Sequence, residues 1–375
     1  MKKKILFVSG TRPEIIKLAP LYFEFKVNSD IFEVQYCHTG QHQELAKEVF
    51  NFFQIVPDYE LDAMRNSSSL STMVSYLLAR LEELYESVKP DLVIVHGDTN
   101  STLCGAVGAF HKNIKVAHVE AGLRSGDLQS PFPEEMNRRM VSVVTNYHFA
   151  PTVLAKNNLL NEGIDKNKIF LVGNTVIDAL GIAQNIMAEK TDTELEQKYD
   201  FIDFEKKIIL FTGHRRENLD GGLKKILLGF NKVLKERSDV EVVFPVHLNP
   251  RVQDTVQNTV DHKLPLHTLS HLSYRDFLWF MKKCYFVVTD SGGIQEEAPS
   301  FGKPVLVTRD TTERKELLES GGGRLIGAEK EVLISTVNNL LDDVNLYSSM
   351  RLERNPYGDG KSSKRILNEI NRLIG

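Results

Sequence analysis

The strongest constraint on the fold is a rhythm that runs the length of the chain and starts twice. Short β-rich runs alternate with stretches of helical length, the pattern of parallel strands joined by helical crossovers. Ile5–Val8 reads as a buried strand, followed by a helix from about Glu14. Val34–Cys37, Leu92–His96, Val116–Val119 and Tyr147–Ala150 read as further strands, and Leu70–Val88 places Leu77, Leu81, Leu84 and Val88 at helical spacing. Ile182 to Phe204 is polar and helical, and then the alternation restarts. Lys207–Phe211 is a strand, a helix begins near Leu223, and strands follow at Val240–Phe244, Phe286–Thr289 and Val305–Thr308. The expectation is an α/β chain of two doubly wound domains, residues 1–185 and 186–360. A last helix within 361–375 carries Ile366, Ile370 and Leu373 on one face. That face needs a surface to cover, for which the N-terminal domain is a candidate.

The 375 residues suffice for two cores. With 46 basic against 50 acidic residues the net charge is −4, so no global positive field draws the chain to nucleic acid or an anionic membrane. Cys37, Cys104 and Cys284 lie far apart in or beside apolar runs, which fits a reduced, cytoplasmic protein. The apolar run after Lys2–Lys4 is cut short by Gly10-Thr11-Arg12-Pro13, too early for a signal peptide. No segment approaches the roughly 20 apolar residues of a membrane span.

In an open α/β sheet, ligands sit at the carboxyl ends of the strands, so the residues after each strand carry the functional reading. The first strand runs into Gly10-Thr11-Arg12-Pro13-Glu14, with Lys17 one turn on, a helix start suited to an anion. A later strand ends in His96-Gly97-Asp98-Thr99, where Asp98 could also serve as a helix cap. The next delivers Glu120, and a turn-rich segment brings Glu134, Glu135 and Arg138. Carboxylates leaving neighbouring strands would repel if close, raising at least one pKa toward the range useful for proton transfer. In the second half, Gly213-His214-Arg215 follows one strand and Asp290-Ser291-Gly292-Gly293 another. The Ser291, Gly292 and Gly293 amides suit a pyrophosphate, and Glu297, one turn later, suits the hydroxyls of a ribose. No G-x-G-x-x-G follows the first strand of either half and no P-loop occurs, so neither a nicotinamide cofactor nor kinase chemistry is expected. His38 and His42 are separated by Gly40 with no zinc-type cluster around them, so no metal is expected either.

Together these segments resemble the bacterial non-hydrolysing UDP-N-acetylglucosamine 2-epimerases. The matching stretches are Gly10–Lys17, Gly97–Thr99, His118–Arg124, Ser130–Glu135, Gly213–Asn218, Asp290–Pro299 and Arg309–Arg314, in the family's order and over most of the chain. The resemblance implies two Rossmann-like domains facing across a cleft (GT-B-like), usually within a homodimer. It implies no cofactor, with UDP-N-acetylglucosamine and UDP-N-acetylmannosamine as the two ligands. Arg12, Lys17, His214, Ser291, Gly292, Gly293 and Arg314 would hold the UDP portion, with Phe277 near the uracil and Glu297 on the ribose. Asp98, Glu120, Glu134 and Arg138 would surround the sugar. Gln41, Glu44, Arg65, Arg215 and His247 match positions at which bacterial members bind a second UDP-N-acetylglucosamine as activator; some members have glutamine where this chain has Glu44. Lys315 stands where the family's Thr-Glu-Arg run continues to proline, leaving the backbone after Arg314 freer.

The implied reaction inverts C2 by eliminating UDP and adding it back through a 2-acetamidoglucal, supplying a precursor for cell-surface polysaccharide. A GT-B-type glycosyltransferase could use the same nucleotide grip but needs an acceptor groove, and the set of carboxylates favours the epimerase. A hydrolysing sibling usually reads Arg-Ala-Asp where this chain has Arg12-Pro13-Glu14. A non-catalytic UDP-sugar sensor would not need the acids.

Overall fold

The computed structural model describes residues 2–41, 43–187, 191–270 and 272–374. His42, one of the two histidines weighed above as metal ligands, lies outside the described residues. Contacts along the chain group it into two units: Met1–Ala183 with Tyr357–Gly375, and Gln184–Pro356.

The first unit is built on seven strands. They are β1 (Lys3–Ser9), β2 (Phe32–His38), β3 (Tyr59–Glu60), β4 (Leu92–His96), β5 (Lys115–Val119), β6 (Tyr147–Ala150) and β7 (Ile169–Leu171). All neighbours pair in parallel, in the order β3-β2-β1-β4-β5-β6-β7. Helices cover the sheet, and the central strands read as unbroken apolar runs because both faces are buried; Ile5, Leu6, Phe7 and Val8 are at most 1% exposed. The helix Leu70–Val88 buries Leu77, Leu81, Leu84 and Val88, the stripe its spacing demands. The terminal helix, Ser362–Ile374, packs on the helix Arg12–Val27, buries Ile366, Leu367 and Ile370, and so belongs to this unit.

The second unit repeats the plan with β8 (Lys207–Thr212), β9 (Val240–Pro245), β10 (Leu266–Leu269), β11 (Phe286–Thr289), β12 (Val305–Val307) and β13 (Gly323–Leu325). The order is β10-β9-β8-β11-β12-β13, again all parallel. Its core holds Phe211 against Phe230 and Phe244, with ring centroids 5.1 and 4.5 Å apart. The α/β, doubly wound character expected from the sequence is therefore present in both units.

Strand order reverses between β1 and β4 in the first unit and between β8 and β11 in the second. Such reversals splay the outgoing loops apart and leave room for a ligand at the strand ends. The loops concerned are Gly10–Glu14 with Gly97–Thr99, and Gly213–Asn218 with Asp290–Gly293, the stretches singled out above. Among the described residues, no helix is long and apolar enough to cross a membrane.

Candidate active site

In the first unit, the loop after β1 is locked by Glu14. Its Oε2 accepts from the Gly10 amide (2.9 Å), the Thr11 amide (2.7 Å) and the Thr11 hydroxyl (2.8 Å). Its Oε1 lies 2.7 Å from Thr99 Oγ1 and 2.8 Å from Thr102 Oγ1, on the loop and helix that follow β4. Burial pushes the Glu14 pKa up, against the hydrogen bonds that pull it down. The expectation of a helix start open to an external anion is thus corrected at two groups. The Gly10 and Thr11 amides are taken by the chain's own carboxyl, and Arg12 and Lys17 remain as the cationic groups of this turn.

Lys17 is buried and its ammonium makes an ion pair with Glu120 Oε2 at the end of β5. The same oxygen lies 3.4 Å from Asn174 Nδ2 and 3.8 Å from His96 Nε2. Glu120 holds φ at +63°, a left-handed conformation unusual for a non-glycine residue. A backbone held there costs free energy that the surrounding contacts must offset, and such residues cluster at functional sites.

Asp98, after the neighbouring β4, is held by Arg138. The guanidinium reaches Asp98 Oδ2 through Nε at 2.8 Å and Nη2 at 2.6 Å, and its Nη1 donates to Glu135 at 3.2 Å. The turn carrying Asp98 is fixed on both sides. Asn137 Nδ2 donates to the Asp98 carbonyl at 2.8 Å, and His118 Nε2 to the Gly97 carbonyl at 2.7 Å. Burial lowers the His118 pKa to about 4, so its imidazole is neutral and the nitrogen facing the carbonyl carries the proton. Asp98 is not the helix cap; Thr99 is, its hydroxyl accepting from the Thr102 amide at 3.2 Å.

Glu134 opens the helix Glu134–Val144 and is half-buried, while its neighbour Glu135 is fully buried. Burial pushes the Glu135 pKa up, but the Ser125 amide and Arg138 outweigh it and the net shift is downward. Asp98 and Glu120 thus leave adjacent strands, but each is matched to its own cation. The mutual repulsion anticipated from sequence is replaced by two ion pairs.

In the second unit, Asp290 organises the strand ends. It is fully buried, and its Oδ2 accepts from the His214 amide (2.9 Å), the Arg215 amide (2.9 Å) and Asn218 Nδ2 (3.1 Å). His214 stacks on His247, with ring centroids 4.9 Å apart and planes 10° from parallel. The glycine turn opens the short helix Gly292–Glu297. The Ser291 amide is bonded to Thr289 Oγ1 at 2.9 Å, and a Cβ on Gly292 would come within 3.0 Å of the Arg314 guanidinium. Around Gly293, by contrast, an added Cβ would meet nothing within 4 Å. Glu297 and Phe277 are half-buried.

Arg314 is clamped between two carboxylates: Glu296 accepts from Nε at 3.0 Å and lies 2.9 Å from Nη2, and Glu313 lies 2.6 Å from Nη1. Glu313 also meets Arg309 at 2.8 Å and Arg215 at 3.7 Å. Burial pushes the Glu313 pKa up, but these three guanidiniums hold it well below the usual carboxylate range. The Arg314 amide donates to Thr312 Oγ1 at 3.1 Å. These contacts hold Arg314 with lysine, not proline, at position 315. Of the remaining residues matched to a second ligand, Gln41 accepts from Ser101 Oγ at 2.9 Å, and Glu44 and Arg65 are exposed.

Comparison with known proteins bears on what these two sets of residues serve. The family model described as UDP-N-acetylglucosamine 2-epimerase matches residues 26–371. The Escherichia coli (strain K12) UDP-N-acetylglucosamine 2-epimerase is 44% identical over 369 residues, covering 98% of this chain and 98% of that protein. The chain belongs to the UDP-N-acetylglucosamine 2-epimerase family. Solved structures of the epimerase family superpose over nearly all of it. The UDP-GlcNAc 2-epimerase from Neisseria meningitidis bound to UDP-GlcNAc has a TM-score of 0.94 at 41% identity, covering 99% of this chain and all of that one. The Methanocaldococcus jannaschii UDP-GlcNAc 2-epimerase in complex with UDP-GlcNAc and UDP has a TM-score of 0.83 at 36% identity, covering 99% of this chain and 100% of that one.

Several supporting residues had no role in the reading of the sequence. Asp290, Glu313 and Glu14 lie inside the quoted motifs, beside the residues to which those motifs assign a ligand. Each is an acid beside a strand end with hydroxyls, amides or arginines around it. Asn174 and His118 carried no signal beyond their position after or within a strand.

Proposed function

We propose that the chain interconverts UDP-N-acetylglucosamine and UDP-N-acetylmannosamine by eliminating UDP and adding it back. The observation that carries this reading is the pair of acids on adjacent strand ends, Asp98 on Arg138 and Glu120 on Lys17, in a chain whose residues 26–371 match the epimerase family model.

The C2 proton of the sugar is not acidic, so its removal must be coupled to loss of a leaving group. A carboxylate of the first unit takes that proton while the C1–O bond breaks. The C–H electron pair becomes the C1–C2 double bond of a 2-acetamidoglucal, and the C1–O pair leaves with the diphosphate. In the second half, an acid delivers a proton to the other face of C2 and a diphosphate oxygen returns to C1. No hydride carrier is needed and atoms balance with UDP as the only species released and recaptured. Asp98, Glu120 and Glu134 are the acids assigned to the sugar, and Arg138 acts through Asp98 by holding its carboxylate.

Arg12, Lys17, His214, Arg314 and the Ser291–Gly293 turn are assigned to the diphosphate, Glu297 to the ribose and Phe277 to the uracil. Cationic groups facing the departing oxygen lower the barrier most where their positions are already fixed. Arg314, clamped on Glu296 and Glu313, meets that requirement. A diphosphate that draws Lys17 away from Glu120 would also leave that carboxylate more basic.

We assign the working state to a homodimer in the cytoplasm, and Gln41, Glu44, Arg65, Arg215 and His247 to a second UDP-N-acetylglucosamine that activates it. The reading is tested by incubating the enzyme with UDP-N-acetylglucosamine and following the mixture by NMR. UDP-N-acetylmannosamine at equilibrium with substrate is expected; free N-acetylmannosamine and UDP as the main products would instead make the enzyme a hydrolase.

A further inference from the structure

Glu120 Oε2 is held by Lys17 and Asn174, with the His96 ring 3.8 Å away, while Oε1 lies beside Gly97 on the Asp98 turn, 3.8 Å from where a Cβ on that glycine would stand. Of these neighbours, Asn174 is bonded through its backbone to a remote part of the chain. It is 3% exposed, and both ends of its amide are used. Oδ1 accepts from the Val176 amide at 3.0 Å at the start of the helix Thr175–Met187. Because that partner can only donate, the other end is the NH2, and it points to Glu120 at 3.4 Å.

The backbone of Asn174 is tied to the segment that returns from the second unit. Its amide donates to the Tyr357 carbonyl at 2.8 Å, and a Cβ on Gly358 would come within 3.4 Å of the same nitrogen. Gly173, with φ at +91°, meets the return so closely that an added Cβ would come 2.6 Å from Ser362 Oγ. Asp178 then accepts from the Ser362 and Ser363 amides at 3.2 and 2.8 Å, pinning the start of the terminal helix.

We propose that Asn174 is a positioning residue for Glu120, and that the returning segment Tyr357–Ser363 serves the reaction by fixing Asn174. An amide is the side chain this place requires. Its oxygen caps the helix while its NH2 orients a carboxylate without neutralising it. Aspartate or serine would cap equally well, but aspartate would set a second negative charge beside Glu120, and serine is too short to reach it.

This inference rests on Glu120 acting in proton transfer, and the experiment separates the two. Asn174→Ser, Asn174→Asp and Glu120→Gln are compared with the unaltered enzyme by thermal melting and by kcat and KM for UDP-N-acetylglucosamine across pH. The charged and titratable groups around Glu120 are Lys17, His96, His118 and Asp98, and all stay in place. Both Asn174 variants should melt within a few degrees of the parent, since the cap is kept. Asn174→Ser should lower kcat about tenfold with KM little changed, the scale of one hydrogen bond to a charged group. Asn174→Asp should move the acid limb of the kcat profile up by about one pH unit, because a like charge raises the Glu120 pKa. Normal kcat and an unmoved limb in both Asn174 variants would overturn the inference, as would losses that track melting temperature with no shift of the limb. Normal turnover in Glu120→Gln would overturn the role of Glu120 and this inference with it.

Discussion

Glu14 offers a test of how the first unit's site loops are held. Thr102 Oγ1 lies 2.8 Å from Glu14 Oε1 and 2.5 Å from the His96 carbonyl, yet a hydroxyl has a single proton. The carbonyl can only accept, so either the Thr102 hydroxyl shares its proton between the two acceptors or Glu14 carries a proton and donates it to Thr102. Burial, which pushes the Glu14 pKa above its ordinary 4.5, favours the protonated acid.

Glutamine reproduces the protonated acid closely. Its oxygen keeps the Gly10 and Thr11 donors and its NH2 faces Thr102, while the Thr99 hydroxyl loses an acceptor. Glu14→Gln should therefore cost only about 1 kcal/mol. Glu14→Ala strands two amides and the hydroxyls and leaves a cavity, at about 3–5 kcal/mol. At 2–4 °C per kcal/mol for a unit this size, the melting temperature should drop by less than about 4 °C for glutamine and by roughly 6–20 °C for alanine. Because the folded pKa is raised, the stability Glu14 contributes is fully present below the unfolded value and lost as pH rises through the folded one. Glutamine does not titrate, so Glu14→Gln should gain on the parent as pH rises above the ordinary carboxylate range. Urea unfolding at several pH values measures this. A glutamine variant as unstable as alanine, with a gap to the parent that does not change with pH, would refute the argument and make Glu14 an ionised acceptor.

Other outcomes follow from the same geometry. Asp98→Asn and Glu120→Gln should each lower kcat at least about a hundredfold, and near-normal rates in steady-state assays would remove that residue from the chemistry. Glu313→Gln loosens Arg309 and Arg314 and should raise KM for the UDP-sugar about tenfold with a smaller change in kcat; an unchanged KM would detach the arginine cluster from nucleotide binding. Burial lowers the pKa of His118 to about 4 and of His148 to about 3, against an ordinary 6.5. Unfolding then takes up protons, so the stability is full above about pH 6.5 and lost as pH falls toward 4. The urea midpoint should drop between pH 7 and 4.5, and a flat midpoint would contradict the neutral, buried state of these rings.

Much of the fold was legible because the interior strands are buried on both faces and write themselves as apolar runs. The four strands that the sequence reading did not include, β3, β7, β10 and β13, are the four sheet edges. Each is two to four residues long and only partly buried, so no continuous run marks it. The strand-end motifs place Asp98 and His214 at the two points where strand order reverses, with Glu120 and Arg314 on the loops after β5 and β12, one strand beyond those points.

The partners of these residues were not legible. That Asp98 belongs to Arg138, Glu120 to Lys17 and Arg314 to Glu296 depends on which loops the sheets bring side by side. Separations of 40, 103 and 18 residues leave no local pattern from which such pairs can be read. Asn174 is an extreme case, since its position is set by a segment more than 180 residues further along the chain.

The central claim is that C2 loses its proton to the enzyme while UDP departs, and solvent isotope reports on it directly. UDP-N-acetylglucosamine incubated with the enzyme in D2O, followed by proton NMR, should yield UDP-N-acetylmannosamine carrying deuterium at C2. Substrate recovered at equilibrium should carry the same label. Epimerised product that retains protium at C2 would contradict proton exchange with the carboxylates and the elimination built on it.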